Sequence, residues 1–239
     1  MNVRLRETAA SRRRLVLSAA AVCAGCAGRV DPLQPQEAVH EWEAMPLPGK
    51  RATIYTRCEH EGRPAWYASS RGAASVWRKR MDAVVTPSTH IEFSWWVANT
   101  VAGADLRRAE VADSPVRVGF AFEGDHSRLS LRNRMQFQLV ETLTGEAPPF
   151  AMLVYVWDNH AAVGTVMPSN RSDRVQKVVL EQGDANLRRW LSYRRNLFHD
   201  FQRAFGESPG RLVGLALMTD TDNTGGAAEA WYGDVMLRG

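Results

Sequence analysis

The sequence predicts a mainly β fold, a β-sandwich of the jelly-roll or galactose-binding-like kind with two accessory helices. Three observations support this class. About nine short segments are rich in aromatic and β-branched residues, turn residues separate them, and only two stretches show helical spacing. The eight tryptophans also fit, because sandwich cores and concave faces accommodate large aromatic side chains.

The predicted strands follow one another at hairpin-like intervals and fill one domain, residues 40–239. Their composition suits buried or half-buried strands. In chain order they are ATIYTRC, PAWYASS, HIEFSWWVAN, VRVGFAFEG, FAMLVYVWD, RVQKVVLEQG, RWLSYRRN, RLVGLALMTD and EAWYGDVMLR.

Two segments predict helices. From Arg128 to Leu143, a leucine or methionine recurs every four residues, at positions 131, 135, 139 and 143, and defines one apolar face. The second helix is short, with apolar residues at helical spacing between Leu197 and Phe205. Gly206 follows where a C-terminal cap is expected.

The positive charge of the chain belongs to its N-terminus. Five of the 30 basic residues and one of the 26 acidic residues lie in the first 25 positions, so the remainder carries 25 of each. A neutral body removes the main electrostatic argument for nucleic-acid binding.

Residues 1–26 read as a signal peptide with a lipobox-like end, because an arginine cluster precedes an apolar run too short to span a bilayer. SRRRLVL (residues 11–17) resembles a twin-arginine export motif, and an ordinary arginine-rich secretion signal is the alternative. CAGC resembles a lipobox in which Cys23 replaces the usual leucine. We expect lipidation of Cys26, with plain signal-peptidase cleavage as the alternative. Residues 27–39 then form a proline-containing tether, and the protein is expected to be exported, periplasmic and attached to a membrane by its lipid.

The stretch LMTDTDNTGGAAEAWYGD (residues 217–234) is the best candidate site. In an extended strand, Asp220 and Asp222 share one face, close enough to share a cation, an arginine or a polar ligand. An EF-hand is excluded, because Trp231 stands where the bidentate glutamate is needed. Turn architecture alone, cation or ligand binding, and catalysis remain open. No catalytic residue is assigned and no cofactor is required, although Asp220 and Asp222 can hold calcium.

Several stretches resemble a bacterial family known as domain of unknown function 3047. They include IEFSWWV, DSPVRVGFAFEGD, YVWDN, WLSYRRNLFHDFQRAFGESPG, ALMTDTDNTG and WYGDVML, and the resemblance covers about residues 40–238. It implies an exported single-domain β-sandwich, lipid-anchored in some members. The family often has paired acids before its central arginine-containing strand, where this chain has Asp113 and Ser114.

The resemblance also implies a set of recurrent polar residues, which we take with Trp157 of YVWDN as ligand-binding candidates. One interpretation is that Arg195 or Arg117 neutralises the aspartate pair, and another is that the acids line the rim of a sandwich cleft. The family positions are Arg117, Arg195, Asn196, Asp200, Asp220, Asp222, Asn223 and Thr224.

Three functions are consistent with these features. The leading hypothesis is a binding module for a glycan or another polar component of the cell envelope, with exposed tryptophans stacking on sugars. The alternatives are a glycan hydrolase using Asp220 or Asp222 as acid or base, and an envelope scaffold that binds proteins through a strand edge or the first helix.

Overall fold

The computed structural model describes residues 41–239. The predicted signal peptide (1–26), the lipidation site Cys26 and the tether (27–39) lie outside the described residues. No helix within 41–239 is long and apolar enough to cross a membrane.

Seven strands form the first sheet. Its neighbouring strands are antiparallel except for one parallel pair, Ala151–Asp158 with Val175–Gln182. In spatial order they are β1 (Glu43–Pro46), β4 (Ser75–Ala83), β11 (Leu212–Asp220), β6 (Ser114–Phe122), β7 (Ala151–Asp158), β9 (Val175–Gln182) and β8 (Val166–Pro168).

The second sheet is antiparallel throughout. Its spatial order is β10 (Leu191–Asn196), β5 (His90–Val97), β12 (Ala227–Tyr232), β3 (Arg63–Arg71) and β2 (Ile54–His60), and β13 (Met236–Arg238) also pairs with β5. The predicted mainly β sandwich of the jelly-roll kind is therefore confirmed.

The main core lies between the two sheets and is built from alternate residues of each strand. Phe93 and Trp95 of β5 face Tyr155 and Trp157 of β7, and all four side chains are buried. The rings of Phe93 and Tyr155 stack with their centroids 5.5 Å apart. Contacts between aromatic rings thus join the sheets.

A smaller apolar cluster covers the other face of the seven-stranded sheet. Leu106, from the connection between β5 and β6, packs there with Val154, Val156 and Val179. Strand β7 is consequently buried on both faces, which explains why its sequence is an almost continuous apolar run.

Both predicted helices are present, with caps that their sequences supply. Helix α1 (Leu131–Thr144) begins after Ser130, whose hydroxyl accepts a hydrogen bond from the amide of Asn133. Helix α2 (Leu197–Phe205) is capped by the side chain of Asn196 and ends at Gly206, whose φ of 71° is in the left-handed region.

The apolar face of α1 faces solvent rather than the core. Leu131, Met135, Leu139 and Leu143 are 58–68% exposed. The helix packs instead through Asn133, which is buried and donates to the carboxylate of Asp173, and through the partly buried Phe137.

Strand β4 was not among the predicted strands. Its sequence SVWRKRMDA has charged residues at four of nine positions. Because of these charges the composition of the segment does not predict a strand, although β4 lies between β1 and β11 in the sheet.

Candidate functional site

The two predicted aspartates lie at and just beyond the end of β11, where the fold adds a third carboxylate. Strands β6 and β11 are antiparallel with Ser114 opposite Asp220, so Asp113 arrives beside Asp220. One carboxylate oxygen from each of Asp113, Asp220 and Asp222 lies within 4.8 Å of the others. We call these three residues the acidic cluster. Their spacing allows the three to hold a metal ion together.

Asp113 organises the turn that follows β11. Its carboxylate accepts hydrogen bonds from the backbone amides of Asn223 (3.2 Å) and Thr224 (2.8 Å), and from the Thr224 hydroxyl (2.7 Å). Burial opposes ionisation, but hydrogen bonds from the Asp220 carboxyl, from Thr224 and from Asn223 hold the pKa of Asp113 below its usual value. The predicted residues Asn223 and Thr224 therefore fix the turn through Asp113.

Asp220 is buried against an arginine. It is 5% exposed, and its Oδ2 accepts a 2.7 Å hydrogen bond from the guanidinium of Arg117. Burial raises the pKa of Asp220 to about 8; Arg117 opposes this rise and Asp113 adds to it. Its second oxygen, Oδ1, is buried and accepts no hydrogen bond from any residue that the structure describes.

Asp222 pairs with a lysine from a distant turn. Lys50, which lies between β1 and β2, directs its ammonium to Asp222 Oδ2. The positive partners of the aspartate pair are therefore Arg117 and Lys50. Lys50 has no motif to mark it and is 172 residues away in sequence.

Arg195 and Asp200 lie elsewhere, at the junction of β10 and α2. Two guanidinium nitrogens of Arg195 donate to the two oxygens of Asp200 at 2.8 and 2.7 Å, and the hydroxyl of Tyr155 donates to Asp200 Oδ2 at 2.7 Å. The interpretation that Arg195 neutralises the aspartate pair is wrong, because its guanidinium is engaged by Asp200. This bidentate pair ties α2 to β7 through Tyr155.

Trp157 is a core residue. Its side chain is fully buried between the sheets, and its indole N–H donates to the carbonyl oxygen of Gly183 at 2.9 Å. A ring with no exposed face cannot stack on a sugar. Trp157 is thereby removed from the ligand-binding candidates.

Sequence reasoning missed an aromatic surface on the six-stranded sheet, on the face that points away from the core. Trp231 of β12 lies opposite Tyr67 of β3 and Trp96 of β5. His60 ends β2, and Trp190 immediately precedes β10. All five side chains are half-buried. We call His60, Tyr67, Trp96, Trp190 and Trp231 the aromatic face.

Ring contacts hold the aromatic face together. His60 stacks on Trp231 with centroids 4.0 Å apart and meets Trp96 edge-on at 4.5 Å. The indole N–H of Trp190 donates to the carbonyl oxygen of His60 at 3.3 Å. Such interlocked rings are oriented before any ligand arrives.

Polar groups border these rings. The guanidinium of Arg63 lies 5.4 Å from the ring centroid of Trp190. The hydroxyl of Tyr67 donates to the carboxylate of Glu229 at 2.8 Å. The surface thus combines apolar ring area with both charge signs.

Alternation along the strands could have indicated this surface. Trp95 and Trp96 are adjacent and must point to opposite faces, as must Trp231 and Tyr232. One aromatic side chain of each pair must therefore point away from the core. Which ones do so depends on strand pairing.

The two described cavities are in other places. One of about 610 Å³ is lined by residues that include Phe122, His126 and Arg211, and one of about 370 Å³ lies between β1 and the end of α1. No residue of the acidic cluster or the aromatic face lines either cavity.

A family model described as "Protein of unknown function (DUF3047)" matches residues 40–236. No curated protein matches the chain.

Solved structures with a similar arrangement include endoglucanase 3 of Trichoderma harzianum, from family GH12 (8% identity, 78% of this chain and 85% of that one, TM-score 0.41). Others are the xyloglucanase domain of NopAA from Sinorhizobium fredii (7%, 78% and 92%, 0.37) and the family 11 xylanase of Neocallimastix patriciarum (10%, 83% and 99%, 0.36). At these identities and TM-scores the likenesses carry no inference about activity.

Proposed function

The chain belongs to this family of proteins of unknown function (DUF3047), and we propose that it is a glycan-binding module of the cell envelope whose binding surface is the aromatic face. The observation that carries the proposal is the grouping of three half-buried tryptophans, a tyrosine and a histidine on one side of a sheet. The C–H faces of pyranose rings pack on such surfaces.

The polar rim supplies the second requirement of a sugar site, hydrogen-bonding groups beside the rings. Glu229 can accept from a sugar hydroxyl, and Arg63 can donate to one. Both side chains lie beside the rings. Glu229 accepts a hydrogen bond from Tyr67, and the guanidinium of Arg63 lies over the ring of Trp190. A neutral polysaccharide is the ligand chemistry that matches this mixture of signs.

The proposed location is the periplasm, with a lipid on Cys26 and residues 27–39 as the tether. A tether of this length reaches at most about 45 Å when extended. The aromatic face would then meet envelope polysaccharides close to the membrane.

The contacts of the acidic cluster do not favour the hydrolase alternative. Asp220 is 5% exposed and bonded to Arg117, and Asp222 is paired with Lys50. A general acid or base must reach the substrate, whereas Asp220 is buried and each carboxylate is engaged by a cation at Oδ2.

The test measures binding of soluble envelope polysaccharides to the purified chain carrying Cys26→Ala, with tryptophan fluorescence and calorimetry as the readouts. We expect Trp231→Ala to weaken binding by about tenfold or more, because it removes the ring on which His60 stacks. Trp42→Ala is the matched control, since Trp42 contacts Trp66 outside the aromatic face. Equal losses in both variants, or no binding to any polysaccharide, would contradict the proposal.

A further inference from the structure

The acidic cluster brings three carboxylates together, and two cationic side chains contact it, Arg117 and Lys50. The described contacts therefore supply fewer positive groups than negative ones. Asp113 gains backbone and hydroxyl donors but no cationic partner within residues 41–239. Carboxylates held this close repel one another unless a proton or a further positive charge intervenes.

The buried Oδ1 of Asp220 marks where that charge is needed. This oxygen accepts no hydrogen bond from the described residues, although Asp220 is 95% buried, and a protonated Asp220 can only donate to the neighbouring Asp113. The nearby amides of Asn223 and Thr224 donate to Asp113 instead. An unpaired buried acceptor is costly, and native structures rarely keep one without an ion, a water or a functional reason.

Arg117 is held by Asp220 Oδ2 and by Ala112, and its buried Nε also lacks a hydrogen-bond partner among the described residues. Lys50, in contrast, can give up its place. The Arg117 side chain is 15% exposed. Lys50 extends from a turn, and its side chain is 35% exposed. The Asp222 side chain is 9% exposed and its partner is a partly exposed lysine. A doubly charged ion attracts a carboxylate more strongly than an ammonium does, so it can displace Lys50 from Asp222.

We propose that Asp113, Asp220 and Asp222 bind one calcium ion, with Lys50 as the side chain that the ion displaces from Asp222. The donors are all carboxylate oxygens, which hard cations prefer over transition metals. They come from a loop, a strand end and a turn, an irregular arrangement that suits calcium better than the strict octahedron of magnesium. The site is independent of the aromatic face.

Calcium alone is the probe, applied to the Cys26→Ala chain in thermal unfolding and calorimetry, with chelator as the reference. At about 100 times the dissociation constant, we expect the melting temperature to rise by about 5–10 °C. Magnesium at the same concentration should give a smaller shift. Trp231→Ala should leave the calcium shift unchanged, so the site can fail or succeed separately from glycan binding.

Three substitutions separate the ion from its rivals. Asp222→Asn should weaken calcium binding more than tenfold, whereas Asp234→Asn, at a 64% exposed side chain outside the cluster, should not. Lys50→Gln should tighten calcium binding by about tenfold, because it removes the competing charge.

The opposite results would overturn the inference. If calcium causes no heat and no thermal shift up to millimolar concentration, the calcium site is wrong. Stabilisation by Asp220→Asn would then show that a proton satisfies the cluster. If Lys50→Gln weakens calcium binding, Lys50 is not a competitor and the displacement is wrong.

Discussion

The domain buries charged side chains in two ways, as arginine–aspartate pairs and as a lysine bonded to a backbone carbonyl. Arg117 with Asp220 and Arg195 with Asp200 are ion pairs at 2.7 Å. Lys177 is different, because it is 3% exposed and its ammonium donates to the carbonyl oxygen of Leu106 at 2.8 Å. Burial accordingly lowers the pKa of Lys177 to about 8.

Other charges around Lys177 act in both directions. Arg117 lowers its pKa further, and three carboxylates raise it: Asp158, Asp105 and Asp220. In the unfolded chain a lysine has a pKa near 10.4. Between about pH 8 and 10.4 the unfolded state therefore binds more protons, and the free energy of unfolding rises with pH through this window.

Lys177→Met should remove that pH dependence. At pH 7 the buried ammonium carries its full penalty, on the order of 3 kcal/mol from the pKa difference, while its hydrogen bond to Leu106 returns about 1 kcal/mol. We expect the variant to be more stable than wild type by about 1–2 kcal/mol at pH 7. Above pH 8 its free energy of unfolding should rise less steeply with pH. Urea unfolding at pH 7 and pH 9.5 measures both effects. Lys79→Met, at a half-buried strand position, is the control. A slope unchanged from wild type would mean that Lys177 stays charged throughout.

At the scale of elements, periodicity identified both helices but not the buried side of α1. The four-residue repeat of Leu131, Met135, Leu139 and Leu143 lies outward. What fixes the inner side is Asn133, through hydrogen bonds with Asp173 and Ser172. Polar contacts to a distant loop leave no periodic signature, so sequence patterns could not predict this orientation.

The exposed side of α1 should tolerate polar residues. Leu139 is 58% exposed, and we expect Leu139→Gln to change the free energy of unfolding by less than about 0.5 kcal/mol. Leu153→Ala, at a fully buried position of β7, should cost about 2–5 kcal/mol because it leaves a cavity. Denaturant titration compares the two. A large loss in Leu139→Gln would show that this face is covered in solution.

At the scale of the molecule, the sandwich was predictable and its surface was not. Alternation and turns indicated strands, because these are local properties. The aromatic face arises from pairing Trp96 with Trp231, residues far apart in sequence, and it depends on register. Asp113 likewise reaches Asp220 only through the pairing of β6 with β11. Trp157, a predicted ligand-binding residue, lies in the core. Strand composition could not predict this, because it does not show which face of a sheet is covered by the other sheet.

The shared core should make the two sheets unfold together. Phe93 of the six-stranded sheet stacks on Tyr155 of the seven-stranded sheet, and Tyr155 in turn meets Phe120 at 5.7 Å. Losing either sheet would expose the aromatic core of the other, so partial unfolding gains little entropy for a large hydrophobic cost.

Phe93→Ala tests this coupling. We expect it to destabilise the protein by about 3–5 kcal/mol, with far-ultraviolet circular dichroism and tryptophan fluorescence still giving one coincident transition in denaturant. Ile54→Ala, on the same sheet but 64% exposed, should leave the midpoint nearly unchanged. Separate transitions for the two probes in Phe93→Ala would contradict this coupling, because the two sheets would then unfold as independent units.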